Sequence, residues 1–350
     1  MNTVSSQSIL FYLMDKNQEF ALDARGTTNH CPMALAALEK MGASDQQLQD
    51  FFAFWSQNFA LPRISESQQK KILSWEESLG CREDFHVLQE YFRSEISLRS
   101  AQSVVADVLN SEAFAPATGA FHALIRLAYG LELDHMGEIA AGLAFLICAA
   151  LPLAPSQDGS ANTHVLEKLT VAQSLFLFHQ KCRDQSFNAE SITARLKLVA
   201  NDSSFWRTQA LIKHGLITEN IVDEMAIAAI RLYIQTRNFT VLHMVTSVAA
   251  LRTLLALVPA LNHARIIGSF WLAFCAAYVS VGAPELSQDD VAPADAEYKL
   301  DAEKMWQKYL GLALNSNDDH VIKLTYTCWV EDGQRRLPHY LRAMAVLHGE

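Results

Sequence analysis

The chain has 350 residues, of which 50% are hydrophobic and only 19% charged, with a formal net charge of −10 at pH 7. Charged residues fall below the roughly 25% usual for soluble proteins, which implies a large buried fraction. A net negative charge with no run of Lys or Arg excludes phosphate backbones as partners, so no nucleic acid is expected.

Residues 1–18 lack the basic start and long apolar stretch of a signal peptide. The six cysteines, Cys31, Cys81, Cys148, Cys182, Cys275 and Cys328, form no C-x-x-C pair. Their scatter fits reduced thiols in the cytoplasm better than a disulfide framework. Glycine and proline are scarce, 14 and 9. Alternating strand patterns bounded by Asn-Gly or Asp-Gly turns are nearly absent, whereas apolar residues recur at helical spacing. The expectation is an all-α protein, one large helical domain over 1–350 with a buried metal site in its core.

The first informative segment is Asn29-His30-Cys31-Pro32-Met33. Pro32 suits the first turn of a helix, which puts His30 at or just before a helix start. The positive end of the helix dipole disfavours imidazolium there, and neutral imidazole is the metal-binding form. A capping or packing histidine is the bland alternative. Polar or proline-containing stretches at 62–68 and 111–118 read as loops, and a strong helix comes after the second. On it His122, Ile125, Arg126 and Tyr129 share one face by their spacing. His122 is a candidate ligand or a hydrogen-bonded core histidine. Arg126 and Tyr129 are candidate substrate contacts, because polar groups on a largely apolar helix need a polar pocket. His135 and Glu138 also stand three apart, but His135 lies past the helix end and reads as water-facing.

The apolar segment 139–154 is broken by Pro152 and too short to span a bilayer. Further loops are expected at 155–163 and 185–190. His243 stands among apolar and small residues in Leu242-His243-Met244-Val245-Thr246-Ser247. Thr246 and Ser247 are placed to orient its ring from outside a ligand sphere, unless His243 is merely a satisfied core residue. Residues 266–284 carry no charge and approach the minimum spanning length, yet contain Gly268, Ser269, Ser280 and Gly282 and lack basic flanks. The expected element is a helix buried on all sides, with no membrane partner. A last loop is expected at 284–296.

Near the C-terminus lies Asp318-Asp319-His320-Val321-Ile322-Lys323. Asp318 or Asp319 suits an N-cap and places His320 in the first turn, with Lys323 three residues on and on the same face. A lysine in such an apolar run either snorkels to solvent or is buried and neutral. A neutral amine can take up carbon dioxide and offer a metal the carboxylate oxygen that no Asp or Glu supplies. The remaining histidines, His86, His164, His179, His214, His263, His339 and His348, read as surface residues.

No G-x-G-x-x-G, P-loop, G-x-S-x-G or recognisable nucleophilic cysteine motif is present. Side chains alone do no one-electron chemistry with oxygen. A metal ion is therefore the most economical source of any redox activity.

The stretches NHCPMALAALEKMG (29–42), GAFHALIRLAYGLE (119–132), LHMVTS (242–247) and HVIKL (320–324) together resemble the questin oxidase-like family. That resemblance spans most of the chain. It implies an all-helical oxygenase that cleaves aromatic, polyketide-type molecules in a Baeyer–Villiger-like or dioxygenase-like way, with O2 as co-substrate and reduced nicotinamide (NADPH) as an external reductant. It also implies non-haem Fe(II) held by His30, His122, His243, His320 and a modified Lys323. Members often carry a further histidine after the Thr-Ser pair, where this chain has Val248-Ala249-Ala250. Imidazoles with one carboxylate suit iron(II), whereas zinc accepts the same imidazoles without redox chemistry, and manganese is a third option. The alternatives are a metal-dependent hydrolase or lyase and a non-catalytic helical binding protein. Ligands at positions 30 and 320 require the two chain ends to pack together.

Overall fold

The computed structural model describes residues 6–63, 71–154, 169–212, 220–286 and 296–350, with side chains from 9 and, in the last stretch, from 302. The expected loop at 155–163 and most of those at 62–68 and 284–296 lie outside these residues, as do His164 and His214. The described chain is mostly helical, with sixteen α-helices. Its buried apolar side chains form one continuous cluster. No helix among the described residues is long and apolar enough to cross a membrane. The uncharged stretch near 266–284 forms a helix, His263–Ser280, buried along most of its length.

One departure from the all-helical expectation sits at the N-terminus. Phe20–Ala24 (β1), Thr27–Thr28 (β2) and Ala60–Pro62 (β3) form a small antiparallel sheet in the order β2-β1-β3. Gly26 turns β1 into β2 with φ +76°. The signal is short (alternating burial over Phe20–Ala24, then Arg-Gly) and is easily lost beside long helical patterns.

Four helices carry the candidate histidine ligands. They are α1 (Cys31–Lys40), α2 (His122–Glu132), α3 (Phe239–Leu255) and α4 (Asp319–Arg335). Helix α1 packs on α2 and α4, and α3 packs on α2 and α4, which closes a ring. The chain ends therefore meet, as ligands at 30 and 320 require. Arg252 on α3 fixes one side of this ring by binding Glu331 on α4 at 3.1 Å and Asp223 of the preceding helix at 2.9 Å.

Helix α2 is held by its successor, α5 (Met136–Cys148). The two lie so close that a Cβ at Gly142 would come within 2.6 Å of the Leu127 Cα. Arg126 on α2 and Glu138 on α5 form a buried two-pronged pair at 2.7 and 3.1 Å, both under 4% exposed. Both hydrogen bonds are charge-assisted, so the pair satisfies itself in a dry interior.

Gly142→Ala is predicted to force α2 and α5 apart and to cost about 1–3 kcal/mol, the scale of core overpacking. Gly268→Ala, where an added Cβ meets nothing within 4 Å, is predicted to be neutral or to stabilise by about 0.5–1 kcal/mol. Thermal unfolding of the two variants beside the parent separates close backbone contact from glycine loss as such.

Candidate metal centre

Each of the four helices brings one histidine from its N-terminal end. His30 is the N-cap of α1, with Pro32 in the first turn, as its sequence context implies. His122 is the first residue of α2, His320 the second of α4, and His243 lies one turn into α3. All but His320 are nearly inaccessible to solvent. The rings form one group: His30 to His122 is 4.3 Å between centroids, His122 to His243 4.6 Å, His30 to His320 4.8 Å and His243 to His320 5.4 Å. One ring nitrogen from each of His30, His122 and His320 lies within 4.8 Å of the others.

The hydrogen bonds fix which nitrogens face inward. His122 Nδ1 lies 2.5 Å from the Gly119 carbonyl, and His243 Nδ1 lies 2.7 Å from the Phe239 carbonyl. A carbonyl oxygen only accepts, so each Nδ1 carries a proton. Burial pulls both imidazoles well below the usual histidine range, with further repulsion from His30 in one case and His320 in the other. Both rings are therefore neutral, and each Nε2 is a bare lone pair. Those two Nε2 atoms face each other at 3.0 Å. Two acceptors at that distance have no proton to share.

A cation satisfies both at once. Two nitrogens each about 2.1 Å from one ion and at right angles are about 3.0 Å apart, so the spacing fits adjacent positions around a metal. His320 Nε2 is also buried without a partner among the described residues. His30 donates from Nδ1 to Asp319 Oδ1 at 2.8 Å, which leaves its Nε2 to accept from the Thr27 hydroxyl at 3.1 Å. The residues present thus fit a metal ion bound by imidazoles.

The backbone before His122 is built for this aim. Gly119, Ala120 and Phe121 all have positive φ, 57°, 56° and 72°. Two of these are not glycine, a left-handed run that costs energy and is retained where surrounding structure demands it. At Gly119 itself a Cβ would meet the Phe145 ring at 2.4 Å. The run turns the Gly119 carbonyl back toward the imidazole of His122.

Asp319 is the residue that sequence reasoning left out. Either aspartate suited an N-cap, and Asp318 takes that role, accepting from the backbone N–H of His320 and Val321 at 2.8 and 3.3 Å. Asp319 turns inward. Its Oδ1 meets His30 Nδ1, comes within 3.0 Å of His320 Nδ1 and pairs with Lys323 Nζ at 3.1 Å. Burial alone would raise its carboxyl pKa, but Lys323 and His30 outweigh that and hold it well below the usual range. Lys323 is buried rather than snorkelling, and burial lowers its pKa against the opposing pull of Asp319.

The structure places several of the sequence candidates away from the histidine cluster or in other contacts. Arg126 is committed to Glu138 and packs over Phe85. Tyr129 lines a separate small cavity of about 60 Å³ with Thr246 and Tyr326. Neither lines the cavity that opens on His122. The site lies at the end of α2, so residues four and seven positions on sit roughly 6 and 10 Å further along its axis. Sharing a face did not mean sharing the site. Thr246 and Ser247 donate their hydroxyls to backbone carbonyls of α3, and the His243 ring is oriented by the Phe239 carbonyl instead. His135 is buried, and its ring caps α5 by accepting from the Glu138 N–H. His339, read as a surface residue, is buried too.

The protonation states carry consequences for stability. Burial drops His30 to about 4, below its ordinary 6.5. Between these values the unfolded chain binds protons that the folded chain refuses, so metal-free protein loses stability as pH falls from about 6.5 to 4. Lower melting temperatures near pH 5 than near pH 7.5, and metal release over the same window, are expected. Asp319→Asn leaves His30 and Lys323 without their anionic partner and is expected to cost about 3–5 kcal/mol, the scale for breaking a buried charge pair. Chemical denaturation of the variant checks it.

No curated protein matches the chain. The family model described as Questin oxidase-like, however, matches residues 27–328, which takes in all four histidines, Asp319 and Lys323. The chain belongs to the questin oxidase-like family.

Proposed function

We propose that this protein is a non-haem iron oxygenase that uses O2 to cleave or insert oxygen into a small aromatic, polyketide-type molecule. Membership of a family named for an oxidase supports an oxidoreductase. The observation that carries the metal is the pair of unprotonated Nε2 atoms on His122 and His243, buried and 3.0 Å apart. His30, His122, His243 and His320 would hold the ion. When bound there, iron(II) would supply the one-electron chemistry with dioxygen that side chains do not.

The chain's own groups do the rest. Two backbone carbonyls and Asp319 hold protons on the outward Nδ1 atoms of His122, His243 and His30, which leaves the Nε2 atoms of His122 and His243 bare and that of His30 with only the Thr27 hydroxyl, which a metal would displace. The helix N-termini and burial keep the rings neutral near physiological pH. The packed ring of helices excludes bulk water from all sides but the cavity.

Lys323 belongs to the reading as a carbamate. A divalent ion with Asp319 and a Lys323 ammonium leaves two uncompensated positive charges in a buried site. The ammonium first gives up one proton; the neutral amine then attacks carbon dioxide, an N–C bond forms as one C=O π bond opens onto oxygen, and a second proton leaves the nitrogen, so that two protons in all take the lysine from +1 to −1. The site is then neutral, and the ion gains an oxygen donor. Burial lowers the pKa of Lys323 against the pull of Asp319, which eases loss of the ammonium proton that this step needs. External reduced nicotinamide remains part of the proposal on the family resemblance alone.

Elemental analysis of protein purified without added metal or chelator tests the reading. About one iron per chain is expected, lost in His122→Ala and His243→Ala. O2 uptake should accompany addition of a hydroxyanthraquinone. Lys323→Met is expected to lose metal, while Lys323→Glu retains part of it. Zinc in place of iron, with no O2 uptake after anaerobic iron reconstitution, would move the assignment to hydrolytic chemistry. A protein that takes up no metal at all would leave a helical binding protein.

A further inference from the structure

A cavity of about 520 Å³ opens beside the histidine cluster and is lined by His122, Thr27, Phe239 and the start of the helix Ile192–Ala200. That volume suits a molecule of a few fused rings. Two features of its wall are unusual for a surface depression. Phe239 is 52% exposed, although its ring lies only 4.7 Å from that of His243 and 4.6 Å from that of His320. A large aromatic left open directly over the candidate metal ligands is a stacking platform. The second feature is Arg195.

Arg195 lines the same cavity and makes no ion pair among the described residues. It donates from Nη1 to the Ala189 carbonyl at 3.2 Å and from Nη2 to the Thr240 hydroxyl at 3.0 Å. Both partners are neutral, and its other guanidinium N–H groups have no partner among the described residues. The neighbouring charges do not neutralise it. Asp23 is already taken by Arg82, with Arg82 Nε 3.0 Å from Oδ2. Glu190 is exposed at the rim. Thr240 is next to Phe239 on α3, so the hydrogen bond to its hydroxyl holds the guanidinium beside the aromatic platform. A half-buried, pre-positioned guanidinium with spare donors is built to meet a planar anion in two-pronged fashion.

We propose that this cavity binds a flat aromatic anion, a ring-bearing carboxylate, with Arg195 gripping the carboxylate and Phe239 stacking on the ring system. Arg195 is a binding and specificity residue that sets which end of the substrate points toward His122. The proposal deepens the oxygenase reading by naming the substrate class, and its test is kept separate from the metal.

Binding of anthraquinone-2-carboxylate and of its neutral shape-match, anthraquinone-2-carboxamide, is measured by equilibrium dialysis on the full chain, with metal content determined on the same samples. The parent is expected to prefer the carboxylate by about tenfold or more, the scale of one charge-assisted pair. Arg195→Ala should erase that preference while still binding the amide, and Arg195→Lys should keep part of it. Phe239→Leu should weaken both ligands alike. Equal binding of the two ligands by the parent, or an unchanged preference in a folded Arg195→Ala, overturns the proposal. So does a folded parent that binds neither ligand. A purely structural role for Arg195 would weaken both ligands equally in Arg195→Ala and Arg195→Lys, and that outcome overturns it too. A parent that takes up no metal yet keeps the preference would sink the iron reading and leave this one standing. Metal-loaded protein without the preference would do the reverse.

Discussion

Two neutral imidazoles that meet nitrogen to nitrogen in a buried site repel each other unless something positive lies between or beside them. His122 and His243 are held in that position from behind. Their outward Nδ1–H groups are pinned to the Gly119 and Phe239 carbonyls, so neither ring can rotate or change tautomer to relieve the contact. The rest of the structure depends on this constraint. A left-handed run at Gly119–Phe121 is needed to aim one carbonyl. Close approach at Gly142, the Arg126–Glu138 pair and the Arg252 contacts then fix the helices that carry the rings. Backbone strain and unpaired nitrogens both cost free energy, and a folded protein retains such costs where a ligand offsets them.

Asp319 gives the site its charge balance. The helix N-termini and Lys323 all favour negative charge at the centre, and Asp319 is the carboxylate that meets His30, His320 and Lys323 together. Removing it would leave positive ends facing one another. The same balance favours a carbamate at Lys323 once a divalent ion is bound, because the second anion then neutralises charge instead of adding it. Asp319 and Lys323 lie one turn apart on α4 and pair at 3.1 Å, so on the proposed reading a single helix start would supply both the orienting carboxylate and the lysine.

On the proposed reading the cavity would add a second layer of selection. A metal held by the four histidines would by itself accept any small molecule that reached it, whereas Phe239 and Arg195, which line the approach, would select by shape and charge. Phe239 joins the two layers. Its carbonyl orients His243, its ring covers His243 and His320, and its exposed face meets the cavity.

The helical class, the loop before His122, the helix starts at His30 and His320 and the buried uncharged helix near 266–284 were all legible in the chain. They rest on local physics, namely apolar period, proline placement and capping. The four histidines also stood out, because polar rings in apolar helices need a reason to be there. Tertiary structure decided what local patterns do not encode. The choice between Asp318 and Asp319 turned on which side chain faced the other three helices, not on capping preference. Arg126 and Tyr129 share a face with His122, but the site lies at the tip of that helix, and only the packing shows how far along the axis each residue falls. Arg195 gave no signal in its own segment. Its significance is that no carboxylate among the described residues comes to meet it, and that is a property of the folded neighbourhood alone.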